Sequence, residues 1–277
     1  MDINKAIETH YTREKMAETI LDLARQNASD PACLTIPDLA PYDDMHIGGR
    51  KATTHLMDQL NLRPAQHILD IGSGIGGPAR FVAEHYGTHV TGIDLTPAHK
   101  EAADRLSQAV CLDQRTTFIT GSALAMPFEK HSFDAAYMIH VGMNIQNKPA
   151  LYKEVARILK PGALLGIYDV MADDNNTIEN FSFPVPWAET QETSFLYAPA
   201  AIKTLLEQAG FEIIHTESRR DFALSTLEKL LGSESLKSRN NNFLREARSN
   251  LQDNIRNNLC APWEMIGRIK ENPASTS

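Results

Sequence analysis

Residues 70–77 read Asp70-Ile71-Gly72-Ser73-Gly74-Ile75-Gly76-Gly77, after the apolar run Ile68-Leu69 and before a helix-compatible stretch from Ala79 to Tyr86. This segment restricts the fold more than any other. An acidic residue ends a short strand, glycines turn the chain, and a helix follows. Glycine accepts positive φ and lets another group approach the main chain without meeting a Cβ. Gly72, Gly74 and Gly77 fit G-x-G-x-x-G, the turn between first strand and first helix of nucleotide-binding α/β folds.

The rest of the chain keeps the same rhythm. Strands are expected at His67–Ile71, His89–Ile93, Thr117–Thr120, Phe133–Ile139, Leu164–Tyr168, Phe211–Thr216 and Trp263–Ile269. Helices are expected at Gly49–Leu60, Ala79–Tyr86, Pro97–Val110, Pro149–Leu159 and Pro199–Ala209, with Lys160-Pro161-Gly162 as a stop signal. This alternation implies a doubly wound, mainly parallel sheet. Upstream, residues 10–27 form an amphipathic pattern with Met16, Ile20, Leu23 and Ala24 on one face. Residues 28–48, with Pro31, Pro37 and Pro41, read as a loop. Residues 171–197 break the rhythm and read as a lid or binding loop. Residues 222–258 read as helix in two pieces, the second carrying Leu244, Ala247, Leu251 and Ile255. Three parts are expected: a helical cap over 1–62, a ligand-binding core over 63–170, and a lid with the end of the α/β domain over 171–277.

Composition narrows the partners. The 277 residues are 42% hydrophobic and carry a net charge of −8, which suits a packed core and disfavours a phosphate backbone as substrate. Cys33, Cys111 and Cys260 form no C-x-x-C and read as free thiols of a reducing compartment. The N-terminus lacks a signal peptide's apolar core, and no apolar stretch reaches the roughly 18 residues of a membrane span. A cytoplasmic protein is expected. Histidines and carboxylates do not recur at ligand spacing in the sequence, so no metal is expected.

Asp70, Asp94, Ser122 and Ile139-His140 all fall at carboxyl ends of successive strands, where open parallel sheets bind ligands. Asp94 follows the glycine loop at roughly the 20-residue interval at which a carboxylate grips ribose hydroxyls. The sign of Asp70 decides between ligands. A pyrophosphate sits badly beside a carboxylate, whereas a ligand with an ammonium and a sulfonium sits well. That favours S-adenosylmethionine over a nicotinamide dinucleotide, although each aspartate alone would also serve as a helix cap.

The run from His67 to Tyr168, with Met126-Pro127-Phe128, Ser132-Phe133-Asp134 and Val155 to Gly162, resembles the core of class I S-adenosylmethionine-dependent methyltransferases. Asp44 to Gly49, Gly76 to Arg80 and His140 to Ile145 are similar to bacterial small-molecule methyltransferases of the sarcosine and dimethylglycine N-methyltransferase type. The resemblance implies a Rossmann-like sheet of about seven strands, the last antiparallel, with an N-terminal helical cap. It implies that Gly72, Ser73, Gly74 and Gly76 approach the cofactor's methionine portion beside Asp70. Asp94 would bind the ribose, Leu95 would pack on the adenine, and Ser122 and Ala123 would flank its amino group. Where that family often has an acidic residue, this chain has Ser122. His140 would lie near the methyl-transfer centre and His46 would close over the cofactor from the cap.

Methyl transfer is an in-line displacement that needs an aligned, neutral nucleophile. His140 is the candidate to take up a proton from an amine; a structural histidine is the competing reading. Tyr11, Trp187 and Tyr197 are candidate aromatic faces for a methylated ammonium, and Tyr168-Asp169 lies on the expected substrate side. Arg50, Arg80 and Arg219 are candidate donors to a substrate carboxylate. The expected acceptor is an amine or amino acid nitrogen. O- or C-methylation of a phenol or quinone-like molecule is the alternative. A nicotinamide-dependent oxidoreductase and a non-catalytic cofactor binder are more distant ones. A homodimer is compatible with the sequence.

Overall fold

The computed structural model describes residues 16–173, 180–232 and 242–271. Tyr11 lies outside them, as does part of the 171–197 segment. Helix α1 covers 16–27, and α2 (Ile36–Asp43) and α3 (Gly49–Asp58) follow. Then come β1 (His67–Ile71), α4 (Gly77–His85), β2 (His89–Asp94), α5 (Pro97–Ala109), β3 (Thr116–Thr120) and β4 (Phe133–Ile139). The chain continues through α6 (Lys148–Ile158), β5 (Leu159–Ala172), α7 (Pro199–Gln208) and β6 (Phe211–Ser218). It closes with α8 (Arg220–Gly232), α9 (Asn242–Arg256) and β7 (Cys260–Ile269).

The seven strands form one sheet in the order β3-β2-β1-β4-β5-β7-β6. Strands β1 to β5 pair in parallel, and β7 inserts antiparallel between β5 and β6. Alternation along the strands sorts the core. Leu69, Ile71, Ala136 and Met138 face α6 and α7. Ile68, Ala135, Tyr137 and Tyr168 face α3 and α4. Both faces are covered, which is why these strands read as nearly continuous apolar runs.

Two expectations change. Residues 28–48 are not all loop, because α2 forms inside them. The Asp38 carboxylate accepts from the Thr35 amide (2.8 Å) and hydroxyl (2.6 Å), and Pro37 sits in the first turn, where its missing N–H costs nothing. Strands β5 and β7 are also longer than periodicity implies. They protect each other's main chains from Leu164–Arg268 to Ala172–Cys260, so pairing carries both past the parallel part of the sheet.

Candidate active site

Three left-handed glycines shape the turn after β1: Gly72 (φ 72°), Gly74 (φ 52°) and Gly76 (φ 79°). Its amides are held locally. Gly72 N and Ser73 N donate to Ile93 O at 2.8 and 3.1 Å, and Gly74 N donates to Asp94 Oδ2 at 2.9 Å. The glycines have different neighbours. A Cβ on Gly72 would stand 2.4 Å from Val141 Cγ2, and one on Gly77 would stand 2.5 Å from Asp43 O of α2. At Gly74 nothing lies within 4 Å, so this part of the loop faces open space.

The cap is clamped onto this loop by charge. Arg80, fully buried in α4, donates to Asp43 Oδ2 at 2.6 Å. Arg50 pairs with Asp44 at 3.0 Å and lies 4.3 Å from the Phe81 ring centre. Arg50 and Arg80, named as carboxylate donors, therefore have structural partners, and so does the third, Arg219, which lies 3.3 Å from Glu217.

The expected cofactor residues come together at the strand ends. Asp94, at the end of β2, accepts from Gly74 N, from Thr96 N at 2.9 Å, and contacts His99 Nδ1 at 3.1 Å. Burial pushes its pKa up, but these contacts outweigh burial and hold it below the usual carboxylate value. Leu95 beside it is 74% exposed. Ser122 follows β3, with its hydroxyl accepting from Leu124 N at 3.2 Å, and Ala123 packs against the sheet's core. Asp70 is buried opposite Tyr137 of β4, and its Oδ2 has no hydrogen-bond partner. Burial pushes its pKa up to about 7; Tyr137 acts against this and Asp94 with it.

These observations fit S-adenosylmethionine. An orphaned carboxylate oxygen suits a cationic group, the open face at Gly74 admits a ligand against the main chain, and Leu95 offers an apolar surface for a base. Asp70 and the glycine loop would hold the methionine portion, Asp94 the ribose, and Leu95, Ser122 and Ala123 the adenine.

His140 is the first residue past β4. Its φ is +56°, a left-handed value uncommon for a residue with a side chain, and its N–H donates to Tyr168 O at 2.8 Å. Its ring lies 5.0 Å from that of Tyr168 and 6.2 Å, edge-on, from that of His46. His140 Nε2 is buried with no hydrogen-bond partner. Burial first, and His46 second, push its pKa down to about 3. His46 Nε2 lies 2.9 Å from both Gly49 O and Thr53 Oγ1, and burial lowers its pKa to about 4. Both rings are neutral at ordinary pH.

The remaining candidates are distributed differently. Tyr168 is fully buried, its hydroxyl without a hydrogen-bond partner. Asp169 caps the turn after His140, accepting from Val141 N at 2.7 Å and Gly142 N at 3.0 Å. Trp187 packs in the apolar cluster beneath α8 and α9, and its indole N–H donates to Ser194 Oγ at 2.9 Å. Tyr197 is 37% exposed, with Lys148 Nζ 4.8 Å from its ring centre.

Arg219 belongs to a charged cluster that sequence spacing misses. Among the described residues, His55 of α3, Glu217 of β6 and Glu264 of β7 bring ligand-type atoms within 4.8 Å of one another. Arg219 lies among them, 2.9 Å from His55 Nε2, 3.3 Å from Glu217 Oε1 and 3.6 Å from Glu264 Oε1, so one guanidinium offsets part of the charge of the two carboxylates. Lys148 is another residue that sequence spacing misses. A cation in the first turn of α6 opposes the helix dipole, and that local conflict is its sequence signal.

Residues 69–167 match the family model described as a methyltransferase domain. Phosphoethanolamine N-methyltransferase 1 of Zea mays is 35% identical over 185 residues, 66% of this chain and 36% of that protein. Sterol 24-C-methyltransferase ERG6B of Gibberella zeae is 30% identical over 166 residues, 59% of this chain and 44% of that protein. The chain thus spans less than half the length of either relative. Among solved structures, a protein from Galdieria sulphuraria assigned as a sarcosine dimethylglycine methyltransferase superposes with a TM-score of 0.74 at 19% identity, covering 83% of this chain and 93% of that one. Phosphoethanolamine N-methyltransferase 2 of Haemonchus contortus, solved with S-adenosylhomocysteine, gives 0.69 at 21% identity, covering 83% and 55%. Glycine loop, strand order and family match converge: residues 69–167 match a methyltransferase domain, and the sheet that holds them has the fold of these solved methyltransferases.

Proposed function

We propose that the chain methylates a small-molecule acceptor at an amine or amino acid nitrogen, of the sarcosine or dimethylglycine kind. His140 carries this reading. A neutral imidazole with a free, buried Nε2 stands at the end of β4 on a left-handed backbone, and Val141 next to it packs against Gly72 of the cofactor loop. Backbone strain that a fold retains marks functional positions. When bound, S-adenosylmethionine supplies an electrophilic methyl group and its leaving group. The chain's own residues bind and orient. His140 accepts a hydrogen bond from the N–H of a primary or secondary amine and so aims that nitrogen's lone pair, while a tertiary amine, which has no N–H when neutral, is only packed against the ring; Tyr168 sets the tilt of that ring. With its pKa near 3, His140 does not store a proton at neutral pH, so the acceptor's proton leaves to water. Orientation of this sort accounts for up to about 7–11 kcal/mol of a barrier. The phosphoethanolamine N-methyltransferase relatives support a nitrogen acceptor.

The sterol 24-C-methyltransferase relatives favour a second reading, methylation of carbon in an apolar acceptor. One assay separates the two: S-adenosylhomocysteine release with glycine, sarcosine, dimethylglycine and phosphoethanolamine, beside panels of phenols and sterols. Turnover on an amine supports the first reading. Turnover on a phenol or sterol, with silence on every amine, overturns it.

A further inference from the structure

Resting on the reading of His140 above, we propose that Lys148 is a positioning residue that locks the turn after His140 to the segment carrying Trp187 and Tyr197. Lys148 is almost fully buried, and its ammonium donates to three main-chain carbonyls: Gly142 O (2.7 Å), Ile145 O (3.0 Å) and Phe195 O (2.8 Å). Two of these belong to the turn and the third to the segment. A buried ammonium is costly unless each N–H is matched, and here three N–H groups meet three oxygens.

The turn itself is a junction. Asp169 holds its first two amides, and a Cβ on Gly142 would stand 2.4 Å from Asp169 Oδ2, so glycine is required there. Val141 abuts Gly72 on the cofactor side. On the segment side, Phe195 N donates to Met143 O at 2.8 Å and Asn144 Nδ2 donates to Trp187 O at 2.8 Å. Lys148 therefore sits where cofactor loop, His140 and segment meet. The titratable groups facing it are Asp169 of β5, Tyr152 of α6 and Tyr197 of the segment. Burial lowers its pKa to about 8, opposed by Asp169. A neutral amine has two N–H groups, so deprotonation leaves one of the three carbonyls without its donor.

The chain's two tryptophans provide the test. In protein labelled with 5-fluorotryptophan, Trp187 reports on the segment and Trp263, in β7, on the fold; Trp263→Phe assigns the signals. Lys148→Met is expected to move the Trp187 fluorine resonance toward its solvent-exposed position and leave that of Trp263 in place. S-adenosylhomocysteine Kd should stay within about threefold, while acceptor KM rises about tenfold with a smaller change in kcat. An unmoved Trp187 resonance, or an unchanged KM in an active variant, overturns the proposal. If Lys148→Met fails to fold, parent protein decides: its Trp187 resonance should titrate between about pH 7 and 9.5, and a flat response overturns the proposal. Absence of turnover in the parent on every acceptor counts against the reading of His140 and leaves the fluorine result standing.

Discussion

Two turns meet at the centre of this molecule, and both ask for left-handed backbone. In the loop after β1 the demand is met by glycine, at Gly72, Gly74 and Gly76. In the turn after β4 it is met by His140 at φ +56°. The first turn is satisfied by its neighbouring strand and by itself: Ile93 O and the Asp94 carboxylate, at the end of β2, accept three of its amides, and Ser73 O accepts from Gly76 N. The second is held by Asp169, Lys148 and Phe195, which come from a strand, a helix and the segment beyond. The turn after β1 is thus built on glycines, and the turn after β4 is built around one side chain with left-handed backbone.

The largest expected effect tests whether the first turn is as self-contained as its hydrogen bonds suggest. Asp43→Ala leaves Arg80 buried without its counter-ion and should cost about 3–5 kcal/mol of stability, read by urea denaturation with and without S-adenosylhomocysteine. A loss below about 1 kcal/mol would mean that cap and loop are independent.

Gly72→Ala attacks the contact between the turns, because a Cβ must displace Val141 from a left-handed position. Cofactor affinity should fall by about two orders of magnitude, about 2.7 kcal/mol, by calorimetric titration. Retention of affinity would show that Val141 yields freely.

His140→Ala should do the reverse: acceptor turnover down about ten- to a hundredfold, with S-adenosylhomocysteine affinity within about threefold. An equal loss in both would erase the distinction between the two sides. Because burial holds His140 and His46 near 3 and 4, the pH–rate profile should show no histidine limb between about pH 5 and 8.

The smallest effect concerns Asp70. Its native pKa, about 7, lies above the ordinary 3.8, so the folded free protein holds this proton more tightly than the unfolded chain. Its contribution to stability is present at low pH and is lost as pH rises toward 7. A cationic ligand favours the carboxylate, so cofactor affinity should rise with pH up to about 7 and level off above it. Asp70→Asn should flatten that dependence; an unchanged slope would place the titrating group elsewhere.

Much of this architecture is legible in the chain. Strands β1, β2 and β4 and helices α4 to α7 are readable to within a residue or two, because their patterns and glycine or proline signals are local. Helix α2 is not, since three prolines outweigh the Thr35–Asp38 box that starts it. The extensions of β5 and β7 are not, because each exists through pairing with the other. The positions of Asp70, Asp94 and Leu95 at strand ends are readable from the same local signals. Arg80 is not: a lone arginine in sequence does not reveal that Asp43 of another helix neutralises it in the core.

The sequence by itself determined the parallel sheet, the glycine turn and the carboxyl group beside it, because each depends on residues within one strand, one turn or one helix. The tertiary structure decided what surrounds the turn after β4 and the charged cluster at Arg219. The strained His140, the burial that keeps it neutral, the Lys148 junction and the gathering of His55, Glu217 and Glu264 around Arg219 all join residues distant in the chain. Such contacts form only when separate elements dock, and their electrostatics arise from the burial that docking creates.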